Sequence, residues 1–379
     1  MLLLGTSAAL TIATAYCLED AGMDFELVAT GRYPSTAALH NCRSAAQVTS
    51  DAVRGDDPAL LATLQRAVEL APDVVIVPAG LPATFYLSRH QHELPARNVF
   101  PVAEPDLLEL LNDKWRFAAL LGEVGVAHPA TVLVTDVTDV ETSVPEGKAV
   151  VKPLAAEGSS GIRVVDSKAE VADTVGRVAA AGLLPVLVQE HIPGDDMGVS
   201  VVADHGRVLC SIVQKYEGDG RVSFLERPDA VAMATTVIES TGTSGVFNFD
   251  LRRDERTDEL LMLECNPRNY ASSHKSAYAG MNPVAVGITV ARGADVPPQS
   301  PQVVTVLTPL SAIKLSLTGK SEHLDPASRR GRDATVRNPV SSALRMAEER
   351  IPWFASRVRG EATSGWASFD AAEGHHSAW

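Results

Sequence analysis

Apolar positions in the first hundred residues fall into short uninterrupted runs, separated by segments with helical spacing. Leu2–Leu4 is one run; it turns at Gly5 into a helix expected from about Ala8 to Ala21. Phe25–Ala29 is apolar again, Leu60–Leu70 has helical spacing, and Asp73-Val74-Val75-Ile76-Val77-Pro78 reads as a buried strand ending in a loop. Runs without alternation suit strands covered on both faces. Their alternation with helices predicts a doubly wound α/β lobe. Gly5-Thr6-Ser7-Ala8-Ala9 is a small-residue turn and lacks the G-x-G-x-x-G pattern, so no dinucleotide site is expected there.

From about Pro105 the texture changes. Asp106–Leu121 reads as one amphipathic helix, with Leu107, Leu108, Leu110 and Leu111 inward and Asn112-Asp113-Lys114 within it. β-like runs follow at Ala130–Val134, Ala149–Lys152 and Ile162–Val165, then a helix over Ala169–Ala180 and a strand over Val186–Glu190. This pattern predicts a small α+β lobe. A strand-dominated region, about Val199 to Ala291, contains Val199–Val202, Val208–Val213, Gly245–Leu251 and Leu260–Asn266. The expected organisation is an α/β domain over 1–104, a small lobe over 105–185, a larger lobe over 186–296 and an extension of unassigned role over 297–379. The extension is rich in Pro, Ser and Arg, and its last residues, Glu373 to Trp379, are expected to be loose.

A chain of 379 residues is too long for one ordinary core, in keeping with several lobes. A net charge of −14 repels a phosphate backbone, so nucleic acid is not an expected partner, and any phosphate ligand needs local cations and backbone N–H groups. Four scattered cysteines, with no C-x-x-C pair, suit a reduced, cytoplasmic setting rather than a disulfide framework. Met1 to Cys17 carries no charged side chain and Ala13-Thr14-Ala15 imitates a cleavage site, but the positive region of a signal peptide is missing and a buried strand fits better. No apolar run of 18 residues occurs elsewhere, so no membrane span is expected.

The strongest chemical signal lies in Gly245-Val246-Phe247-Asn248-Phe249-Asp250 and Leu261-Met262-Leu263-Glu264-Cys265-Asn266-Pro267-Arg268, two strand-like segments separated by a polar turn. Alternation places Asn248 and Asp250 on one face of the first, and Met262, Glu264 and Asn266 on one face of the second. In a hairpin Asp250, Glu264 and Asn266 can converge. Two carboxylates about 4 Å apart repel by roughly 4 kcal/mol at an effective dielectric of about 20. A hard divalent cation offsets that cost, and all three side chains offer oxygen. On this reading, removing either carboxylate relieves local repulsion. The bland alternative is a solvated polar hairpin face.

Glu264-Cys265-Asn266-Pro267-Arg268 resembles the E-x-N-P-R signature of the ATP-grasp superfamily, in which an acidic residue on the preceding strand, here Asp250, completes a Mg²⁺ site. Val150-Val151-Lys152-Pro153 resembles the strand whose lysine reaches the ATP phosphates. Glu157-Gly158-Ser159-Ser160-Gly161 resembles the loop that covers them, as in D-alanine–D-alanine ligase. Lys114 matches the first phosphate-binding lysine. Gln189-Glu190-His191-Ile192 resembles the adenine hinge, with Asp196 as the ribose-binding acid and Met262 padding the adenine ring. The matches keep the superfamily's order from about Asp106 to Ala291. The α/β lobe suits the domain that precedes the two ATP-grasp lobes.

The resemblance implies ATP and Mg²⁺, with Mn²⁺ as a substitute, as cofactors. It implies an ADP-forming ligase that activates a carboxylate as an acyl-phosphate and joins it to an amine, with amino acids as the expected substrates and a homodimer left open. Lys152 and Arg268 are then the catalytic cations. Carboxylase, kinase or purely ATP-binding relatives are the competing readings. Tyr270, Ser272, Ser273, His274 and Lys275 are candidates to line an acceptor pocket, although a lone histidine is more often structural.

Overall fold

The uninterrupted apolar run at the N-terminus becomes an internal strand. In the computed structural model, which describes residues 1–140, 144, 147–155, 161–350, 366 and 369–370 (346–350 by backbone alone), β1 (Leu2–Gly5) is buried throughout. It joins β2 (Phe25–Ala29), β3 (Cys42–Gln47) and β4 (Ile76–Ala79) in a parallel sheet of order β3-β2-β1-β4. Helices Ala8–Asp20 and Pro58–Leu70 alternate with these strands, giving the expected doubly wound lobe. The outer strand β3 escapes a pattern reading because its Arg43, Ser44, Ala45, Ala46 and Gln47 are all exposed. The strand expected over Asp73–Pro78 is corrected at its start: β4 begins at Ile76 and keeps Pro78, Leu4 opposing Pro78 and Gly5 opposing Ala79. β4 lies at a sheet edge, where a residue without an N–H is tolerated.

The chain divides into two compact units, one of Met1–Leu108, Met197–Asn248 and Asn266–Glu361, the other of Glu109–Asp196, Phe249–Cys265 and Ala362–Trp379. The second unit holds an antiparallel sheet of β5 (Thr131–Val134), β6 (Ala149–Pro153), β7 (Arg163–Val165) and β8 (Val186–Glu190), in order β5-β8-β6-β7. Helix Lys168–Ala180 buries Val171, Val175 and Val178 in a core with Val134, Val151, Val165, Val186 and Val188. Ser167 caps that helix through the Glu170 N–H.

The single helix expected over Asp106–Leu121 is corrected to two, Pro105–Asn112 and Lys114–Glu123. Asp113 leaves helical geometry (φ −79°, ψ 114°) and its carboxylate accepts the N–H groups of Trp115 and Arg116, both at 2.9 Å. An aspartate can satisfy the open donors of a new helix, and here that local gain outweighs continuation. The break puts Lys114 at the first position of the second helix.

In the first unit a second sheet runs from β9 (Gly194–Asp204) through β10 (Arg207–Tyr216) and β11 (Val222–Leu225), with the start of β12 (Gly245–Asp254) beside β9. The rest of β12 leads to β13 (Leu260–Asn266) in the second unit. The region beyond residue 297, which sequence left unassigned, supplies β14 (Val304–Val306), paired with β11, and helix Pro326–Arg337. Arg337 and Asn338 both donate to buried Glu19 on the first helix, each at 2.9 Å. Its part from Val304 to Asn338 is thus built into the first unit. Among the described residues no helix is long and apolar enough to cross a membrane.

Candidate active site

Two buried lysines converge on one carboxylate. Lys114 Nζ lies 3.4 Å from Glu264 Oε2, and Lys152 Nζ lies 4.0 Å from the same oxygen. Lys114 is delivered by the capped helix and Lys152 by β6, where Val151, Lys152 and Pro153 are all buried. The Lys152 ammonium donates to Gln189 Oε1 at 3.0 Å, and the Gln189 amide donates in turn to Thr131 Oγ1 at 2.8 Å. Thr131 and Gln189 face each other across β5 and β8, and Val150 opposes Gln189 across β6, so the ladder aligns this chain of bonds.

Electrostatics follow from burial. Desolvation pulls the Lys152 pKa down to about 8; Glu264 opposes this and Lys114 adds to it. Burial pushes the Glu264 carboxyl up, but Lys114 and Lys152 more than offset that and hold it below the usual carboxylate range. Asp250 also hydrogen-bonds Glu264. Two carboxyl groups in such contact need a shared proton or a cation between them. Their all-oxygen donor set fits a hard divalent ion. Among the described residues no cluster of three or more His, Cys, Asp and Glu side chains is poised for a metal.

Residues 183–311 match the family described as "ATP-grasp in the biosynthetic pathway with Ter operon". The chain is similar to D-aspartate ligase of Enterococcus faecium (strain Aus0004), 24% identical over 259 residues, a match covering 60% of this chain and 62% of that protein. Its fold resembles that of an L-amino acid ligase from Bacillus licheniformis (TM-score 0.58, 15% identity, 77% of this chain and 73% of that one). It also resembles N5-carboxyaminoimidazole synthetase from Staphylococcus aureus complexed with ADP (TM-score 0.64, 13% identity, 84% and 85%). The chain has the ATP-grasp fold.

The remaining ATP-grasp candidates distribute as follows. At the hinge, the His191 N–H donates to Lys148 O at 3.1 Å, and burial, aided by Lys148 and Arg252, lowers the His191 pKa. Ile192 is buried, and its carbonyl accepts Arg252 Nε at 2.7 Å. Arg252 also pairs with the exposed Asp196, while Glu190 meets Arg256 at 3.5 Å. Met262 is fully buried. In the other unit, Asn266 Oδ1 accepts Arg268 Nη2 at 3.0 Å, and Arg268 Nη1 donates to Asn269 O at 3.2 Å. Glu157, Gly158, Ser159 and Ser160 lie outside the described residues; Gly161 is described and buried.

The acceptor candidates turn inward, Lys275 excepted. Tyr270 donates to Ser276, Ser272 donates to Gln214, and Ser273 accepts from the Cys17 thiol, all within the first unit. His274 sits between Tyr16 and Tyr278, with ring centroids 5.8 and 5.9 Å away. Lys275 donates to Gly220 O at 2.6 Å. Asn248, set beside Asp250 by alternation, instead accepts from Ser200 and Gln214 in the same buried network.

Sequence reasoning missed Thr131, Asp113 and Arg252. A signal existed for two of them: an aspartate just before a helical lysine is a capping pattern, and Arg252 follows Asp250 by two on the same strand face.

Proposed function

We propose that this ATP-grasp chain is an ADP-forming carboxylate–amine ligase acting on amino acids. The observation that carries the reading is the convergence of Lys114 and Lys152 on the Glu264–Asp250 pair. An acidic protein that concentrates two buried ammonium groups beside two carboxyls has built a place for both a polyphosphate and its cation. Similarity to a D-aspartate ligase and to the fold of an L-amino acid ligase supports amino acids as the substrate class.

On this reading a substrate carboxylate oxygen attacks the γ-phosphorus, the bond from that phosphorus to the β–γ bridging oxygen breaks, and ADP leaves. The amine nitrogen then attacks the acyl carbon, the bond to the phosphate oxygen breaks, and phosphate departs as the nitrogen loses a proton. Asp250 and Glu264 would hold Mg²⁺, with Asn266, two residues on along β13, as a further oxygen donor; the ion would neutralise phosphate charge. Lys114 and Lys152 bind and orient the phosphates, Gln189 aims Lys152, and the hinge Gln189–Ile192 with Asp196 and Met262 takes the nucleoside. Glu157, Gly158, Ser159, Ser160 and Gly161 supply the phosphate-covering loop. Arg268 holds the acyl-phosphate oxygens.

The test is a paired screen of amino acids with Mg-ATP, read by chromatography and mass spectrometry. ADP, phosphate and an amide in equal amounts are expected. AMP as the stoichiometric nucleotide product would overturn the acyl-phosphate route, and ADP with a carboxylated product would favour the carboxylase alternative.

A further inference from the structure

A segment far along the chain is bolted onto the phosphate-strand pair of the second unit. The buried Asp370 carboxylate accepts Arg163 Nη2 at 2.6 Å and the Gly161 N–H at 2.9 Å, although these partners lie 207 and 209 positions away. Arg163 is itself buried, and its guanidinium also lies 5.6 Å from the centroid of the Phe369 ring. Trp366 packs edge-on against Phe369 at 5.7 Å, and both rest on the valine core beneath β6 and β7. Gly161 has φ +76°, and a Cβ there would come within 2.5 Å of the Trp366 indole, so the backbone turn and the tryptophan are fitted to each other.

The location gives this contact its meaning. Arg163 opposes Val151 across β7 and β6, and Val151 precedes Lys152. Among the described residues β7 lies at a sheet edge and pairs with β6 alone. A strand of 3 residues makes few ladder hydrogen bonds, and the buried Asp370 carboxylate, holding the Arg163 side chain with one oxygen and the Gly161 N–H with the other, adds to them from outside the sheet. The buried arginine also needs its anion, since removing one partner of such a pair leaves an uncompensated charge.

We propose that Asp370 is a positioning residue for nucleotide binding, fixing Gly161 and Arg163 and through them the β6–β7 pair that carries Lys152. This rests on the reading that Lys152 binds nucleotide phosphate. The experiment measures the affinity of full-length protein for ADP with Mg²⁺ by calorimetry, well below the unfolding temperature, for the wild type, Lys152→Ala, Asp370→Asn and Asp370→Glu. Asp370→Asn is expected to weaken ADP binding roughly tenfold, to raise KM for ATP more than it lowers kcat, and to be partly rescued by Asp370→Glu. If Asp370→Asn fails to fold, Arg163→Lys, which keeps the charge and loses the fork, is expected to show the same weakening. Unchanged ADP affinity in these variants, with only a lower unfolding temperature and with Lys152→Ala still weakened, would overturn the proposal. Unchanged affinity in Lys152→Ala would overturn the nucleotide reading beneath it.

Discussion

The Lys114 ammonium stands 3.4 Å from Glu264 Oε2, closer than the second lysine on the same oxygen. That relationship changes what Glu264 is for. Alternation in the sequence suggested a carboxylate in need of a cation to relieve repulsion from Asp250. The protein already provides two ammonium groups, and Glu264 is as much their counter-ion as a ligand in waiting. A site built this way is preorganised: Glu264 and Gln189 already hold the two ammonium groups in place.

Replacing Glu264 by Gln therefore lowers stability instead of raising it. The amide keeps the shape but leaves Lys114 and Lys152 facing each other with one anion fewer, and the already depressed Lys152 pKa falls further. The expected cost is about 1–3 kcal/mol in urea unfolding, together with near-complete loss of ADP formation. A variant more stable than the parent would restore the repulsion reading.

Asp113 delivers Lys114 to the site. Asp113→Ala removes the cap of helix Lys114–Glu123 and should cost about 1 kcal/mol. Because the capped residue is the start of the turn that carries Lys114, KM for ATP should rise as well. Asp113→Asn or Asp113→Ser, which preserve a capping oxygen, should recover most of both effects. Failure of either to recover KM would mean that the charge of Asp113, not its cap, matters.

Much of this was legible in the sequence, and the reasons differ by element. β1, β2 and β13 were visible because apolar runs and alternation are set by burial, which composition records directly. Asp250 and Glu264 stood out by strand alternation and Lys114, Lys152 and Gln189 by resemblance, and the five are linked by contacts in the structure. What was not legible was competition between local interactions: Asp113 capping outweighed helix continuation. The polar string Tyr270 to His274 was illegible for another reason. The partners of Ser272 and Ser273, Gln214 and Cys17, come from distant parts of the chain, so sequence shows the polar groups without showing what they bond.

His274 gives a pH signature of stability. Burial, then Arg345 and Lys275, push its pKa well below the ordinary value. Between that depressed value and about 6.5 the unfolded chain binds a proton that the folded chain refuses. Stability contributed by neutral His274 is therefore fully present above about pH 6.5 and is lost as pH falls, with a slope of up to about 1.4 kcal/mol per pH unit. His274→Phe, packed between the same two tyrosines, should flatten the acid limb of a urea-midpoint profile between neutral and mildly acidic pH. An unchanged limb would show that another group controls it.

Arg268 separates binding from chemistry. Its guanidinium donates to the Asn266 amide oxygen and to the Asn269 carbonyl, so in the structure it is held by neutral oxygens through both terminal nitrogens. Those two bonds fix the plane of the guanidinium at the turn after β13. A guanidinium binds carboxylate or phosphate oxygens bidentately, and an ammonium cannot reproduce that geometry. Arg268→Lys keeps the charge and loses the fork. If Arg268 steadies the acyl-phosphate as charge moves from ATP to the acid, kcat falls by about tenfold or more while ADP affinity stays near that of the parent. If it only braces the turn after β13, kcat is unchanged and the unfolding temperature alone drops. Steady-state kinetics at saturating ATP, paired with calorimetric ADP titration, distinguish the two, because a brace has no reason to act on the transition state and spare the ground state.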